Sequence, residues 1–471
     1  MLNAKKPLLD EHRLRVRVFS AIILVVLSLL GVRLAWMQLV DARAFRDASW
    51  ANAIRERRVQ PARGALYDRG GTLLVDNEPT YTITLTPRYF DATKAGLLAD
   101  LLDVPDSLVT AKLLEARRWS PFKPSRSFRE VPRQALSRVL ENLYGLPGVG
   151  YEVEHRRRYH TAARAAHATG YLREIAQSEL DVRSSEDYRP GDLVGKTGLE
   201  RNYEDQLRGE LGSEFKLVNV HGLEVTSYRD GEQDTPPVSG YDLHLTLDAD
   251  VQAFAESLFV GKRGGAVALD PASGEIIALV SHPDYDPAVF TQSLDATTWA
   301  ALNENPGRPM YNRATQSMQP PGSTWKPFMA LLALEEGLIS PDTRLYCGGG
   351  HPLGRGRSLR CMHVHGLIDV GEALEQSCNT FFFELMMRTD VQTLQRYAHL
   401  FGFGVPAETD VGEQAPGLIP DSAYFHRLAP RGWGPGWTIS LGIGQGNMGA
   451  TPFELAQFVA TVGNGGVRHA P

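Results

Sequence analysis

The stretch that decides the fold runs from Gln319 to Gly337 and reads QPPGSTWKPFMALLALEEG. Ser323 and Lys326 lie three residues apart in it, directly after two prolines and a glycine. Apolar residues then occupy nearly every side of the segment, which predicts a buried helix with Ser323 at its N-terminus. Pro327 falls in the first turn, where its missing N–H costs little. Because residues three apart share a helix face, the hydroxyl and the amine project together.

The serine and the lysine of this pair are the residue types of a nucleophile and the base that activates it. A serine hydroxyl reacts poorly unless a base takes its proton, and a lysine, with an ordinary pKa of about 10.4, is a base only when neutral. Burial and the positive end of a helix both lower a lysine pKa. The alternative is a helix cap, with Ser323 as the N-cap and Lys326 in solvent. That reading does not explain a lysine on an otherwise apolar helix.

A second polar motif follows in the stretch EQSCNTFFFE, which places Ser377 and Asn379 before another apolar helix. An S-x-N motif after S-x-x-K is the order found in penicillin-recognising serine acyl-transferases. The chain resembles the class B penicillin-binding proteins, which are membrane-anchored peptidoglycan transpeptidases. Within them it is most similar to penicillin-binding protein 2, the elongation-specific type, and the division-specific type is the alternative.

The resemblance extends over nearly the whole chain. The blocks that carry it are RGALYDRGGTLLVDN (63–77), GLERNYEDQLRGELG (198–212), TLDADVQ (246–252), AVALDPASGEIIALVSHPDYDP (266–287), NRATQSMQPPGSTWKP (312–327) and GIGQGNMGATPFELA (442–456). The PPGST form, the cysteine inside SCN and the preceding histidine-containing segment are the features most similar to the elongation-specific type.

The resemblance implies a mechanism for each motif residue. Ser323 would attack the carbonyl between the two terminal D-alanines of a peptidoglycan stem peptide, and Lys326 would accept its proton. Ser377 would relay a proton to the departing D-alanine, while Asn379 would hold the substrate amide and orient Lys326. The backbone N–H of Ser323 would supply half of the oxyanion hole. An amine from a neighbouring stem would then resolve the acyl-enzyme, and penicillin and other β-lactams would acylate the same serine.

The third motif of this family, K-[ST]-G, follows S-x-N on a strand that lines the far side of the cleft. No such motif follows Asn379 in the 471 residues, and the sequence KTG at Lys196 precedes Ser323 in the first domain. We therefore expect a chain that is truncated at its C-terminus, without one sheet strand and without the second oxyanion N–H.

Cysteine and histidine residues cluster just before the S-x-N motif. Three thiolates and one imidazole suit a tetrahedral zinc ion, and the resemblance implies a zinc site at matching positions. The predicted structural Zn²⁺ ligands are Cys347, Cys361, His365 and Cys378, with His363 as the substitute imidazole. The alternative is a Cys347–Cys361 disulfide, which leaves the third thiol unpaired.

The N-terminus predicts a membrane anchor. Residues 18–32 read VFSAIILVVLSLLGV, and the apolar sequence resumes after Arg33 as far as Val40. Together they reach the roughly 20 residues that span a bilayer. Basic residues precede the segment, so the positive-inside rule keeps that end cytoplasmic and sends the rest into the periplasm. A cleaved signal peptide is the alternative, but no small-x-small cleavage site follows. Residues 41–60 are predicted to continue as a helix.

The expected fold class is α+β. Alternation over residues 80–86 predicts a strand, and residues 264–283 predict an antiparallel hairpin that helices flank. The segment DTPPVSG at 234–240 indicates a domain boundary. The predicted divisions are a cytoplasmic tail (1–17), a transmembrane anchor (18–40), a pedestal or dimerisation-type domain (41–234) and a penicillin-binding transpeptidase domain (235–471).

Composition and resemblance together define the expected partners. A net charge of −6 and a pI near 6.1 argue against a nucleic-acid binder. The basic stretch EHRRRYH (154–160) is expected to be a solvated face. The resemblance implies that the pedestal contacts a SEDS-type glycan polymerase and elongation scaffold proteins of the bacterial inner membrane. Two alternatives to an elongation transpeptidase are a non-catalytic chain, either a truncated product or a scaffold that binds cell-wall synthesis partners, and a β-lactam sensor or serine β-lactamase. The long first domain argues against the second.

Overall fold

The structure is a computed structural model. It describes residues 7–39, 54–183, 186–218, 224–291, 294, 296–354 and 356–471. The α-helices are α1 (Pro7–Leu39), α2 (Ala95–Leu102), α3 (Asp106–Trp119), α4 (Arg133–Glu141), α5 (Ala166–Thr169), α6 (Gln177–Val182), α7 (Gly198–Asn202), α8 (Glu204–Arg208), α9 (Ala249–Leu258), α10 (Ala296–Asn303), α11 (Arg313–Gln316), α12 (Lys326–Glu335), α13 (Val370–Glu375), α14 (Asn379–Met387), α15 (Val391–Leu400), α16 (Ser422–Leu428), α17 (Pro435–Thr438) and α18 (Pro452–Gly463).

The strands alternate with these helices along the chain. They are β1 (Ile54–Val59), β2 (Leu66–Tyr67), β3 (Leu73–Leu85), β4 (Ser125–Phe128), β5 (Val149–Tyr159), β6 (Leu172–Glu174), β7 (Leu193–Gly195), β8 (Gly212–Val218), β9 (Glu224–Ser227), β10 (Leu243–His244), β11 (Gly264–Leu269), β12 (Ile276–His282), β13 (Leu345–Cys347), β14 (Gly350–Gly354), β15 (Arg357–Arg360) and β16 (Gly366–Ile368). Single 3-10 turns lie at Ala92–Lys94, Leu143–Gly145, Tyr228–Gly231, Pro287–Thr291, Gly322–Trp325 and Ile439–Ile443.

Helix α1 is the one helix among the described residues that is long and apolar enough to cross a membrane, over Arg15–Gln38. Its apolar side chains are exposed, as Phe19 and Leu29 illustrate. A helix that is apolar on all sides is suited to a protein core or to a bilayer. The predicted anchor at 18–40 therefore coincides with a real apolar helix.

The helix predicted over residues 41–60 is wrong where it can be examined. Residues 54–59 form β1, which pairs antiparallel with β8 in the register Ile54↔Leu217 to Val59↔Gly212. The charged residues favour a helix only weakly, and pairing with a distant strand overrides such a local preference. The rest of the predicted helix lies outside the described residues.

The chain divides into two compact units. The first comprises residues 1–61, 79–154 and 210–238, and the second comprises 62–78, 155–209 and 239–471. The domain limits predicted from the sequence stay predictions. In the structure each unit is assembled from separated segments, so neither corresponds to one continuous stretch.

The first unit contains a three-stranded antiparallel sheet in the order β1-β8-β9. A separate core forms where α2, α3 and α4 pack against the C-terminal part of β3, which confirms the strand predicted at 80–86. Ile83 and Leu85 from the strand are fully buried against Leu98 and Val139 from the helices. The alternation of the strand therefore directs its apolar side chains to these helices.

The second unit contains the predicted hairpin, in which β11 pairs antiparallel with β12. Helix α9 is tied to β12 through the buried Gln252, whose amide exchanges hydrogen bonds of 2.9 and 2.8 Å with the backbone of Leu279. Phe453 from α18 shares a buried cluster with Ile276 and Leu279. The sheets named above pair antiparallel and helices pack against them, which confirms the α+β class.

A buried ion network also lies in the second unit. Arg63 Nε donates to Glu200 Oε2 at 2.7 Å, and its NH2 group donates to Glu204 Oε2 at 2.7 Å. Arg157 Nε donates to the other Glu200 oxygen at 2.8 Å. The expectation that residues 154–160 form a solvated face is therefore wrong for Arg157, whose side chain is 2% exposed. A guanidinium enters a core only with carboxylates to pair it, and these carboxylates are distant in the sequence.

The largest core of the second unit lies behind the S-x-x-K helix. Trp325, in the turn just before α12, and Phe328 on α12 are fully buried, and Trp325 packs against Phe403 with ring centroids 4.9 Å apart. Helix α14 contributes Phe381 and Phe382 to the same core. The two helices that follow the polar motifs are therefore held together by their apolar faces, and the motifs at their N-termini are brought together.

Candidate active site

Ser323 lies in the 3-10 turn Gly322–Trp325 that leads directly into α12. The turn is fixed from the far side by the GIGQGNMG block. Gly322 donates its N–H to Gly444 O at 2.8 Å. Gly444 has φ +68°, and a Cβ there would lie 2.4 Å from Gly322 O. Only glycine combines this left-handed backbone with such a close approach.

Lys326 is the first residue of α12 and is 2% exposed. Its Nζ donates to Ser377 O at 2.7 Å, to Ser377 Oγ at 3.0 Å and to Asn379 Oδ1 at 2.7 Å. These three bonds use the three N–H donors of an ammonium group. The solvated, capping alternative is therefore wrong for Lys326, because the side chain is buried and bound to the second motif.

Burial lowers the pKa of Lys326, because the charged form loses its hydration. The nearby thiols of Cys361 and Cys378 oppose this effect when ionised. The net direction is downward, so the neutral amine is more accessible at Lys326 than at a solvated lysine.

Ser377 connects the two motifs. Its Oγ donates to Ser323 Oγ at 2.9 Å, so a hydrogen-bond chain runs from Lys326 through Ser377 to Ser323. The residue has φ +53°, in the left-handed region that non-glycine residues rarely adopt. Its N–H donates to Leu374 O at the end of α13. Strained backbone of this kind is characteristic of functional sites.

The structure therefore brings all four predicted catalytic residues together. The sequence did not reveal that Ser377 lies between Lys326 and Ser323 in the described hydrogen bonds. The sequence analysis also did not predict that Gly444 supports the Ser323 turn. The glycine-rich block GIGQGNMG was the signal that could have indicated it. The KTG sequence lies elsewhere: Lys196 forms an ion pair with Glu179.

The predicted metal ligands also lie together. Donor atoms of Cys347, Cys361, His365 and Cys378 are all within 4.8 Å of one another. His365 Nδ1 is 3.4 Å from Cys347 Sγ and 3.6 Å from Cys361 Sγ, and the Cys361 and Cys378 sulfurs are 3.9 Å apart. Zinc–sulfur and zinc–nitrogen bond lengths give tetrahedral edges of roughly 3.5–3.8 Å. The donor set therefore fits a zinc ion in chemistry and in spacing.

The imidazole in this set is that of His365. His363 is exposed, and its backbone carbonyl rather than its ring meets Cys347, with Sγ to O at 3.6 Å. The three thiols are buried and unbonded. Burial raises the pKa of the Cys378 thiol to about 12, so an ion that binds there must displace a proton.

The cluster supports the S-x-N loop directly. Cys378, between Ser377 and Asn379, is fully buried and directs its sulfur toward Cys361. The N–H of Asn379 donates to Cys361 Sγ at 3.2 Å. The side chains that meet Lys326 and the Cys378 sulfur behind them thus belong to one loop, with the cluster on its inner side.

Two family models match the chain. The one described as Penicillin-binding Protein dimerisation domain matches residues 58–245, and the one described as Penicillin binding protein transpeptidase domain matches residues 264–471. The peptidoglycan D,D-transpeptidase MrdA of Salmonella typhimurium (strain LT2) is 33% identical over 467 residues, which cover 96% of this chain and 74% of the relative. The chain belongs to the MrdA family of peptidoglycan D,D-transpeptidases. MrdA of Escherichia coli (strain K12) is 31% identical and covers 100% of this chain and 75% of that protein.

Solved structures of penicillin-binding protein 2 are similar to this chain in fold. Penicillin-binding protein 2 of Pseudomonas aeruginosa in complex with WCK 5153 matches with a TM-score of 0.64 and 28% identity, over 87% of this chain and 70% of that one. The complex of penicillin-binding protein 2 and MreC from Helicobacter pylori matches in fold, with a TM-score of 0.76 and 22% identity over 89% and 78%. As an MrdA-family member, the chain is a serine-type D-Ala-D-Ala transpeptidase that crosslinks peptidoglycan in cell elongation. The scaffold, β-lactamase and division-specific alternatives are not favoured.

Proposed function

We propose that this chain crosslinks peptidoglycan stem peptides through an acyl-enzyme on Ser323, with Lys326 as the base. The observation that carries the proposal is the hydrogen-bond chain from Lys326 Nζ to Ser377 Oγ, at 3.0 Å, and on to Ser323 Oγ, at 2.9 Å. A buried lysine aligned with two hydroxyls provides a path for the proton that a serine nucleophile must lose.

The acylation step follows from this path. Ser323 Oγ forms a bond to the carbonyl carbon of the penultimate D-alanine, and its proton passes through Ser377 Oγ to the neutral amine of Lys326. The amide bond to the terminal D-alanine then breaks, and the same path returns the proton to the departing amine. We assign one oxyanion donor to the Ser323 N–H at the start of the helix, where such a donor contributes a few kcal/mol.

The second half-reaction transfers the acyl group. The amine of a neighbouring stem attacks the ester, and a bond forms between its nitrogen and the carbonyl carbon while neutral Lys326 takes a proton from that nitrogen. The ester C–O bond then breaks, and Ser323 Oγ leaves with the proton that Lys326 has just accepted. Asn379 orients Lys326 through the 2.7 Å bond to its Oδ1, and its amide N–H₂ group is assigned to the substrate backbone.

The test is covalent labelling of the full chain with a fluorescent penicillin, which we expect to acylate Ser323. Ser323→Ala should abolish the label. Thr324→Ala is the matched control, because Thr324 is the adjacent hydroxyl and donates to Pro321 O at 2.7 Å. A label that survives in Ser323→Ala, or a wild-type chain that no penicillin acylates, would contradict the assignment.

We also propose that Cys347, Cys361, His365 and Cys378 hold a structural zinc ion. Support comes from the donor spacing given above and from the bond between Asn379 N and Cys361 Sγ. When bound, zinc supplies a crosslink between the β13–β16 segment and the S-x-N loop. Ser377 and Asn379 would then keep their positions against Lys326 because the loop behind them is fixed.

Metal analysis with a pair of histidine variants tests the zinc site. We expect about one zinc per chain in the wild type and in His363→Ala, whose ring lies outside the donor set, and a loss in His365→Ala. A zinc-free wild type with a Cys347–Cys361 disulfide in a peptide map would exclude the site.

We further propose that α1 anchors the chain in the bacterial inner membrane, single-pass, with residues 1–17 cytoplasmic and the bulk periplasmic. Support comes from the apolar helix and from the basic residues on the N-terminal side of its apolar stretch at 18–32, among them Arg15 and Arg17. Two similar structures support a scaffold protein and a SEDS-type glycan polymerase as partners: the complex of penicillin-binding protein 2 with MreC, and a peptidoglycan synthase complex that matches with 28% identity and a TM-score of 0.65. We expect a protease to cleave the residues beyond 54 only when it is added from the periplasmic side.

A further inference from the structure

The segment 117–138, from the end of α3 to α4, carries a charge opposite to that of the whole chain. It contains seven arginine or lysine residues and one glutamate, whereas the chain has a net charge of −6. Its first seven residues read RRWSPFK, so cations and aromatic residues lie together in one short stretch. A local excess of positive charge attracts anionic partners.

The side chains of this stretch face solvent. On the last turn of α3 the buried residue is Ala116, and Arg117, Arg118 and Trp119 after it are exposed. Because successive helix residues are rotated by about 100°, these three side chains cover the side of the helix that faces away from the core. Trp119 is 55% exposed and Phe122 is 63% exposed. Large aromatic side chains that are exposed together indicate an interaction surface.

The turn that follows α3 is held in place by its own hydrogen bonds. Ser120 Oγ accepts the N–H of Phe122 at 3.3 Å and that of Lys123 at 3.2 Å. The N–H of Arg88 donates to Pro121 O at 2.8 Å, so the exposed Arg88 lies beside the turn. We call this surface the basic–aromatic tip, which comprises Arg88, Arg117, Arg118, Trp119, Phe122 and Lys123.

The four cations of the tip have no carboxylate within 4.0 Å in the part of the chain that the structure describes. Other cations of the same unit are paired. Lys112 lies 2.9 Å from Glu115, and Arg126 lies 2.9 Å from Glu152. The tip therefore presents guanidinium and ammonium donors that the protein itself does not neutralise.

We propose that the basic–aromatic tip binds the surface of an anionic phospholipid bilayer. Guanidinium and ammonium groups pair with lipid phosphates, and aromatic rings are enriched at the depth of the head groups. A turn that presents both kinds of side chain matches this chemistry. An acidic protein surface would pair with the cations but offers no apolar depth for the two rings.

A bilayer needs no strong affinity to be this partner. The compact unit that contains the tip also contains α1, the proposed membrane anchor. Because an anchored chain stays at a membrane, the tip meets lipid at a high effective concentration, and weak contacts suffice. Such a lipid contact would act independently of the chemistry at Ser323.

The test measures whether Trp119 approaches lipid head groups. The full chain is placed in nanodiscs of phosphatidylglycerol or of phosphatidylcholine, each with a few lipids that carry a nitroxide quencher on the head group. The chain has seven tryptophans, so the Trp119 signal is the difference between the wild type and Trp119→Phe, which keeps an aromatic ring. We expect the nitroxide to quench this signal about twofold or more in phosphatidylglycerol and little in phosphatidylcholine, because only the anionic surface attracts the cations.

A charge variant tests the cause of the quenching. Arg117→Ala/Arg118→Ala/Lys123→Ala, measured with and without Trp119→Phe, should lose the quenching in phosphatidylglycerol. Penicillin labelling of the same variant should remain unchanged, because the tip lies in the other compact unit from Ser323. Retained labelling shows that the second unit is folded.

A matched triple variant removes the same charge elsewhere. Lys262→Ala/Arg357→Ala/Arg427→Ala changes exposed positions of the second unit and should keep the quenching of Trp119. A Trp119 signal that is not quenched in phosphatidylglycerol would overturn the lipid contact and favour an acidic protein as the partner. Equal quenching in the two lipids, or quenching that survives the loss of the three tip cations, would also overturn it.

Discussion

At the residue scale, the most unusual position is Ser377, which combines a left-handed backbone with a hydrogen bond to Ser323. The strain costs about 1 kcal/mol or more for a residue with a side chain. It places both the Ser377 carbonyl and its hydroxyl on Lys326. The conformation thus serves the site and not the stability of the loop.

Two substitutions at Ser377 separate the effect of its hydroxyl from the effect of its backbone strain. Ser377→Gly and Ser377→Ala both lose the relay hydroxyl, so both should slow penicillin acylation by about 10²-fold or more. Glycine accepts φ +53° without strain, whereas alanine does not. We therefore expect Ser377→Gly to melt at a higher temperature than Ser377→Ala, in a thermal scan of unacylated protein. Equal melting temperatures would show that the backbone is not strained.

The pH dependence of acylation reports on Lys326. Only its neutral form accepts a proton, so the rate should rise with pH and become constant above the lysine pKa. Because burial lowers that pKa from its ordinary 10.5, the plateau should begin below pH 10.5. The pH at which the plateau begins is measured from penicillin acylation rates at pH 6 and above. Circular dichroism at each pH confirms that the protein is folded. A rate that still rises tenfold per unit at pH 10.5 would contradict a lowered pKa.

At the element scale, the Ser323 turn depends on a loop more than a hundred residues away. Gly444→Ala places a Cβ 2.4 Å from Gly322 O and should displace the turn, with a loss of about tenfold or more in penicillin acylation. Gly446→Ala is the matched control, because Gly446 also has positive φ, at +86°, but its nearest contact would be Ser440 at 3.5 Å. If the two variants lose the same acylation rate, the loss comes from the positive φ of the glycines and not from the close contact between Gly444 and Gly322.

The same scale shows what the sequence determines. The four polar residues of the site were predicted because each pair lies within one short motif, and local spacing fixes their geometry. The hairpin at 264–283 was predicted because its apolar strands flank a turn of favourable residues. Strand β1 and the approach of Gly444 to Gly322 were not predicted, since each depends on a partner far along the chain that no local pattern specifies.

At the scale of the whole molecule, the second unit depends on the ion network around Glu200. Glu200→Gln removes the buried carboxylate that Arg157 and Arg63 share, and it leaves Arg63 with Glu204 as its carboxylate partner. We expect a loss of about 3–5 kcal/mol in unfolding free energy, measured by urea denaturation. Glu115→Gln is the control, because its pair with Lys112 is exposed and an exposed pair contributes less than about 1 kcal/mol. Similar midpoints for the two variants would show that the network does not stabilise the unit.

The second unit also combines segments that are far apart in the gene. Ala249 donates its N–H to Asp68 Oδ2 at 3.2 Å, and Tyr203 donates its hydroxyl to Asp410 Oδ2 at 2.9 Å. In bacteria that exchange gene fragments by recombination, this arrangement limits which crossovers give a folded protein. A crossover that imports only the codons after residue 239 would join a foreign penicillin-reactive half to native residues 62–78 and 155–209. Successful mosaic genes should therefore carry breakpoints upstream of codon 62, or keep both sides of these contacts matched.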